Sequence, residues 1–393
     1  MYIIDNEVNL KSQFIKTRVL SEVICSYLET EDFVVQPIDF VSPPKWHLAH
    51  TTWFFEQFVL KEELKTYQVF DEQFAFLFNS YYETVGNHWL RTNRGNLSRP
   101  SVAKIMKYRE YITKKMLELL ENTLSDEVKK VIEIGINHEQ QHQELLLTDI
   151  KYILGKNPLF PVYNKNFVEN PIQDYAQEWI TIPEGLYNIG LDKNSSGFRY
   201  DNEMGKHQVF IPSFQISNKL VTNEDYLAFI EDQGYAQVAL WHSDAWAWLQ
   251  QENIDKPLYW HKKDNKWYQY TLSGLEELNK EAPLSHISYY EAFAFAQWKG
   301  MRLPTEFEWE IAQDKFKWGS RWEFTESAYL PYPNYKKPEG AIGEYNGKFM
   351  VNQKVMRGVS VATSPKHSRA TYRNFFQPFM RWQYFGIRLA NSI

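Results

Sequence analysis

His138 and His142 stand four residues apart in Ile136-Asn137-His138-Glu139-Gln140-Gln141-His142-Gln143-Glu144, inside a segment with helical apolar spacing. On a helix, that separation puts both imidazoles on one face. Two such rings can share a metal ion, and a third ligand must then come from another helix. His50 is the candidate, in Trp46-His47-Leu48-Ala49-His50-Thr51-Thr52-Trp53-Phe54, where apolar residues surround it in what is expected to be a core-facing helix. In the plainer reading, each histidine is a satisfied core or surface residue, and His47 taken alone is read that way. For the pair, the neighbouring Gln and Glu could orient the rings, which favours a metal. The same residues also spell His-Glu-x-x-His, the signature of zinc hydrolases, with Glu139 as general base. Residues Gln143 to Thr148 lack the second-histidine extension of one such class. Both metal readings stay open on pattern alone.

Helices must hold these side chains, and the first 155 residues carry the pattern for them. Phe14 to Glu29, Trp46 to Leu60, Val102 to Leu120 and Val128 to Leu154 each space apolar residues by three and four, and Gly155 with Pro158 forms a stop. Four long helices with few strand signals predict a four-helix bundle over residues 1–155, a fold that builds metal sites from inward-facing side chains. Residues 156–178 lose the periodicity among Pro, Asn and Tyr and read as a linker or wrapping segment. From 179 to 393, Gly, Pro and Trp punctuate short segments such as Trp179-Ile180-Thr181-Ile182-Pro183 and Val209-Phe210-Ile211. That part is expected to be α+β with much irregular loop, so the fold class is multidomain, α followed by α+β. There is no internal repeat and no low-complexity tract.

Composition narrows the function classes. A length of 393 residues allows two or three domains, each able to bury a core. The net charge of −6 gives no reason to expect nucleic-acid or anionic-membrane binding. No run approaches ~20 consecutive apolar residues, so no membrane span is expected, and Met1 to Asp5 do not begin a signal peptide. A cytoplasmic location is the default. Cys25 is the one cysteine, so no intramolecular disulfide forms. Its apolar surroundings suit a small buried hydrophobe better than a nucleophile. Aromatic residues make up 17% of the chain, enough to build cores with few regular elements and pockets lined by ring faces.

The C-terminal half resembles the formylglycine-generating-enzyme-like, or sulfatase-modifying-factor, domain, which is C-type-lectin-like in architecture. The resemblance rests on Val221-Thr222-Asn223-Glu224-Asp225-Tyr226 and on Tyr289-Tyr290-Glu291-Ala292-Phe293 leading to Trp298. It continues in Gly300-Met301-Arg302-Leu303-Pro304-Thr305-Glu306-Phe307-Glu308-Trp309-Glu310, in Arg357-Gly358-Val359-Ser360 and in Phe385-Gly386-Ile387-Arg388-Leu389-Ala390. Formylglycine-generating enzymes work through cysteines of this domain, and Cys25 lies outside it, so that activity is not expected. Joined to a DinB-like helical domain carrying His50 and His138-x-x-x-His142, the whole is similar to the sulfoxide synthases of ergothioneine biosynthesis. Phe78-Asn79-Ser80-Tyr81-Tyr82-Glu83, Arg91-Thr92-Asn93-Arg94-Gly95, Ser98-Arg99-Pro100 and the stretch Gly340 to Phe349 extend the likeness. Tyr372-Arg373-Asn374-Phe375-Phe376, leading to Arg381-Trp382-Gln383, resembles the branch of that family that uses free cysteine.

The resemblance implies Fe(2+) held by His50, His138 and His142. It implies small-molecule substrates: dioxygen, hercynine (N-α-trimethylhistidine), and cysteine or γ-glutamylcysteine as sulfur donor. Three neutral imidazoles leave iron with its full charge and open positions for a substrate imidazole, a thiolate and dioxygen. By the same resemblance Gln141 lies near the histidine-derived substrate, and Arg91 and Arg94 hold the donor's carboxylate, a task suited to the guanidinium fork. Tyr81 or Tyr82 would serve as proton and electron donor. Asn374, Phe375 and Phe376 would meet the trimethylammonium group, to which aromatic faces are attractive. Each of these residues also has a plain reading as surface or core. Ovothiol and selenoneine synthases share the histidine set and are the alternatives within the family.

Overall fold

The computed structural model describes residues 10–80, 82, 86–192, 194–337 and 346–393. Two compact units result: residues 1–163 with 362–367, and residues 164–361 with 368–393.

Unit 1 is built on α1 (Leu10–Cys25), α2 (Pro44–Phe55), α3 (Val102–Leu119) and α4 (Asp126–Gly155). Their ends follow local chemistry. Pro44 opens α2, where its missing N–H costs nothing. Ser101 and Ser125 cap α3 and α4 by accepting the backbone N–H groups of Lys104 and Val128. Asp126 and Glu127 add negative charge at the positive end of α4. All twelve residues of α2 are buried, so this helix has no solvent face and runs through the core. By contrast, α1 buries one stripe made of Phe14, Thr17, Arg18, Ser21, Ile24 and Cys25.

Gly135 sets the approach of α2 to α4. A Cβ there would lie 2.6 Å from the Phe55 ring and 2.9 Å from the Phe54 ring, far inside contact distance. The close crossing brings the histidine-bearing stretches of the two helices side by side. After Phe55 the chain continues as a π-helical turn, Glu56–Leu60, so the helix expected from Trp46 to Leu60 changes pitch near its end. The segment read as a linker is divided. Tyr163 still belongs to unit 1, its hydroxyl donating to the Ile24 carbonyl at 2.6 Å, and Asn164 begins unit 2.

Unit 2 is sheet-rich. Strand β4 (Phe214–Leu220) lies between β1 (Trp179–Ile182) and β12 (Arg388–Ser392), antiparallel to both, so the end of the chain pairs near the unit's beginning. A second sheet has the order β10 (Asn374–Phe376), β9 (Lys354–Gly358), β8 (Trp322–Ala328), β11 (Phe385–Gly386). A hairpin, β2 (Gly185–Ile189) with β3 (His207–Ile211), and a meander of β5 (Trp260–Lys263), β6 (Lys266–Thr271) and β7 (Gly274–Glu277) complete it. Helices α5 (Asn223–Glu231), α7 (Tyr289–Trp298) and α8 (Glu306–Ala312) start at Thr222, Ser288 and Thr305, each closing a capping box; α6 (Ser243–Glu252) lies between α5 and α7. Arg302 pairs with Glu308 through two hydrogen bonds of 2.8 and 2.7 Å, a framework contact.

Candidate metal centre

His50 comes from the middle of α2, and His138 and His142 from successive turns of α4. Their ring centroids are 4.9, 4.7 and 4.6 Å apart in the pairs 50–138, 50–142 and 138–142. One nitrogen of each lies within 4.8 Å of the other two, close enough to converge on a single ion. His50 and His138 are buried and His142 half-buried. Trp46 and Trp53, one turn before and one after His50, lie nearly parallel to its ring at 4.5 and 5.5 Å and restrict its rotation.

The Phe78 carbonyl fixes the chemistry of His50. A carbonyl can only accept, so Nδ1–H of His50 donates to it at 2.6 Å and Nε2 carries the lone pair. That Nε2 is buried with no hydrogen-bond partner among the described residues. An orphaned buried nitrogen is costly unless something binds it, and a metal ion would. Burial, with His138 beside it, pushes the His50 pKa well below its usual value. Burial does the same to His142, next to His138 and His50, and takes His138 down to about 3. All three are therefore neutral at physiological pH, the state that metal binding needs.

Glu139 is turned to another task. Its carboxylate accepts from Arg18 Nη1 at 3.0 Å, from Ser21 Oγ at 2.7 Å and from Arg109 Nη2. Burial alone would raise its pKa, but the guanidinium groups of Arg109 and Arg18 prevail and hold it at about 2. Both oxygens are engaged in a fully buried ion cluster, so the general-base role open to Glu139 in the sequence is corrected here. A base needs a pKa near the working pH and access to the reactant, and the fully buried Glu139 has neither. The His-Glu-x-x-His match is a coincidence of spacing, its glutamate a structural anchor between α1, α3 and α4.

Arg94 is a buried cation stacked on Trp46, its guanidinium carbon 3.2 Å from the ring centroid. It donates to Ser42 Oγ at 2.8 Å and Ser80 Oγ at 2.9 Å, and no carboxylate among the described residues lies within ion-pair distance. Asp149 acts on it from further off, and burial of a guanidinium without a direct ion pair suits a site that takes an anion. Arg91 is exposed and donates to the Phe40 carbonyl. Gln141 is half-buried on α4 beside His142. Tyr82 is fully buried, with its ring 5.6 Å from Trp53 and 5.3 Å from Phe58. Tyr81, Glu83 and Gly340 to Tyr345 lie outside the described residues.

Asn374, Phe375 and Phe376 form β10 in unit 2. Phe375 stacks on Tyr329 at 4.1 Å, Phe376 packs against Trp382 and Phe385, and the Asn374 side chain accepts the Phe375 N–H at 3.0 Å. Two residues that the sequence reading did not assign to the site, His47 (read as core or surface) and Asp149 (not considered), stand next to the triad. His47 Nδ1 is 2.9 Å from His142 Nδ1, and its Nε2 is 3.0 Å from Asp149. The available signal is that Asp149 follows His142 by seven residues, two turns on, just after the apolar run Leu145-Leu146-Leu147 of α4.

Comparison with known proteins agrees with this layout. The DinB superfamily model matches residues 13–146, and the sulfatase-modifying factor enzyme 1-like domain model matches residues 164–321. Hercynine oxygenase of Mycolicibacterium smegmatis is 27% identical over 350 residues, covering 76% of this chain and 80% of the relative. Hercynine oxygenase of Mycolicibacterium thermoresistibile is 26% identical over 415 residues, covering 89% and 87%. The formylglycine-generating enzyme of Thermomonospora curvata is 25% identical over 179 residues, covering 41% of this chain and 58% of that enzyme.

Proposed function

We propose that this chain, a homologue of hercynine oxygenases with a DinB-superfamily domain and a sulfatase-modifying-factor-like domain, is an iron(II)- and O2-dependent sulfoxide synthase. It joins hercynine to cysteine, with γ-glutamylcysteine as the alternative donor. The observation that carries this reading is the buried triad of neutral histidines, one of them with its tautomer set by Phe78. Iron bound there would supply open positions for the reactants and a path for electrons to dioxygen, the four electrons coming in net from the imidazole carbon and the thiol sulfur.

The protein's own groups supply position and protons. Arg94 receives the donor's carboxylate, with Arg91 nearby in sequence, and its stacking on Trp46 sets the angle of approach. Fixing the donor this way turns an encounter of several components into a local reaction. Gln141, next to His142, orients the histidine-derived substrate. Asn374, Phe375 and Phe376, in unit 2, are the residues that the family likeness assigns to a trimethylammonium group. Tyr81 or Tyr82 holds a proton for the oxygen that is being reduced. Overall, the imidazole loses its C–H hydrogen and the thiol its S–H hydrogen; one oxygen atom ends on sulfur and the other leaves as water.

The test is anaerobic reconstitution with iron(II), followed by oxygen uptake with each imidazole and thiol pair and mass spectrometry of the products. Uptake that needs both hercynine and cysteine, with a sulfoxide adduct, supports the reading. No uptake with any imidazole and thiol pair refutes it.

A further inference from the structure

The triad has a partner that its own chemistry does not require. His47 is buried in α2, one turn before His50, and lies between two residues of α4. Its Nε2 is 3.0 Å from Asp149 Oδ2, and its Nδ1 is 2.9 Å from Nδ1 of His142. Asp149 is held in place by the Ser42 backbone N–H, which donates to the same oxygen at 2.8 Å.

The proton positions along this chain follow from what each group can do. A carboxylate only accepts, so His47 Nε2–H donates to Asp149. A neutral imidazole with its hydrogen on Nε2 presents Nδ1 as an acceptor. The proton in the 2.9 Å contact therefore belongs to His142, which donates from Nδ1 and keeps Nε2 bare. This is the outcome that Phe78 produces at His50 by a backbone carbonyl.

We infer that His47 and Asp149 are a positioning pair for the metal centre: His47, oriented by Asp149, selects the His142 tautomer and ring angle that leave Nε2 free for the ion. His47 touches no reactant in this account and acts only through His142. The inference rests on the triad being a metal site, and the experiment separates the two ideas.

Apoprotein is titrated with cobalt(II) and with iron(II) under nitrogen, in competition with a metallochromic indicator, and the cobalt d–d absorption is recorded. His47→Ala is expected to fold, with an unchanged circular dichroism spectrum, and to bind metal about 10- to 100-fold more weakly with an altered cobalt band. His47→Gln is expected to recover most of the loss, because its side-chain oxygen can take the same proton. Wild-type affinity and an unchanged band in His47→Ala overturn the inference, as does a glutamine variant no better than alanine. Should His47→Ala not fold, Asp149→Ala, which removes the acceptor of His47 Nε2–H, decides in the same titration: at least tenfold weaker binding supports the pair, and unchanged affinity overturns it. Failure of the wild-type apoprotein to bind either ion sinks the metal reading itself.

Discussion

Arg18 Nη1 lies 3.0 Å from Glu139 Oε2 inside unit 1, although 121 residues separate them in the chain. The contact ties α1 to the histidine-bearing turn of α4, and Arg109 of α3 closes on the same carboxylate. A structural anchor and a catalytic base respond differently to neutralisation. Glu139→Gln leaves two buried guanidinium groups facing an amide, and breaking a buried pair in this way costs about 3–5 kcal/mol. Guanidinium denaturation is expected to show a loss of that size. A variant as stable as the parent would contradict the anchor and reopen the base.

How far this could be read from sequence depended on distance along the chain. The His138–His142 pair was legible because helical geometry makes i, i+4 a local statement. The starts of α3 and α4 were open to the same kind of reading, since Ser101 and Ser125 act within three residues of themselves. Glu139 was misjudged because its partners, Arg18 and Arg109, lie on two other helices and leave no mark in the motif. His47 was set aside as core for a similar reason, since its meaning comes from Asp149, 102 residues later. The segment 362–367 gave no signal at all. It joins unit 1, with Ser364 donating to the Gln140 carbonyl at 3.3 Å and His367 Nδ1 lying 3.1 Å from Gln140 Oε1.

In the proposed iron site each member of the triad contributes one of three ligands, so removing any one is expected to abolish both binding and turnover. His50→Ala, His138→Ala and His142→Ala should each lose stoichiometric iron on anaerobic reconstitution and fall to background oxygen uptake. A chelator is expected to do the same to the wild type, with activity returning on addition of iron(II) and not of zinc. Full oxygen uptake with zinc would remove the redox role of iron from consideration.

Cys25 should take no part in the chemistry of a thiol-using enzyme. It is 5% exposed, and burial pushes its thiol up to about 12, so thiolate is scarce at neutral pH. A disulfide reagent is expected to find almost no reactive thiol in the native protein and one per chain in denaturant. Cys25→Ala should keep its oxygen uptake. Rapid native labelling, or lost activity in that variant, would point to a role for the thiol.

Arg94 gives the sharpest separation of binding from stability. Its guanidinium is buried on Trp46, with no carboxylate among the described residues in direct contact and Asp149 acting only from further off, so an arriving anion would supply the direct partner. A hydrogen bond to a charged group is worth about 1.5–3 kcal/mol, which corresponds to roughly 10- to 150-fold in affinity. Arg94→Met keeps the stem against Trp46 and removes the charge. It is expected to raise KM for the thiol donor by that factor while leaving KM for the imidazole substrate within about twofold. The same variant should unfold no earlier than the parent, because it loses an unpaired charge and keeps apolar contact. Steady-state kinetics with each substrate varied in turn, together with a thermal melt, reads both effects. Equal rises in the two KM values, or a melt lowered along with them, would show that Arg94 serves the fold and not the donor.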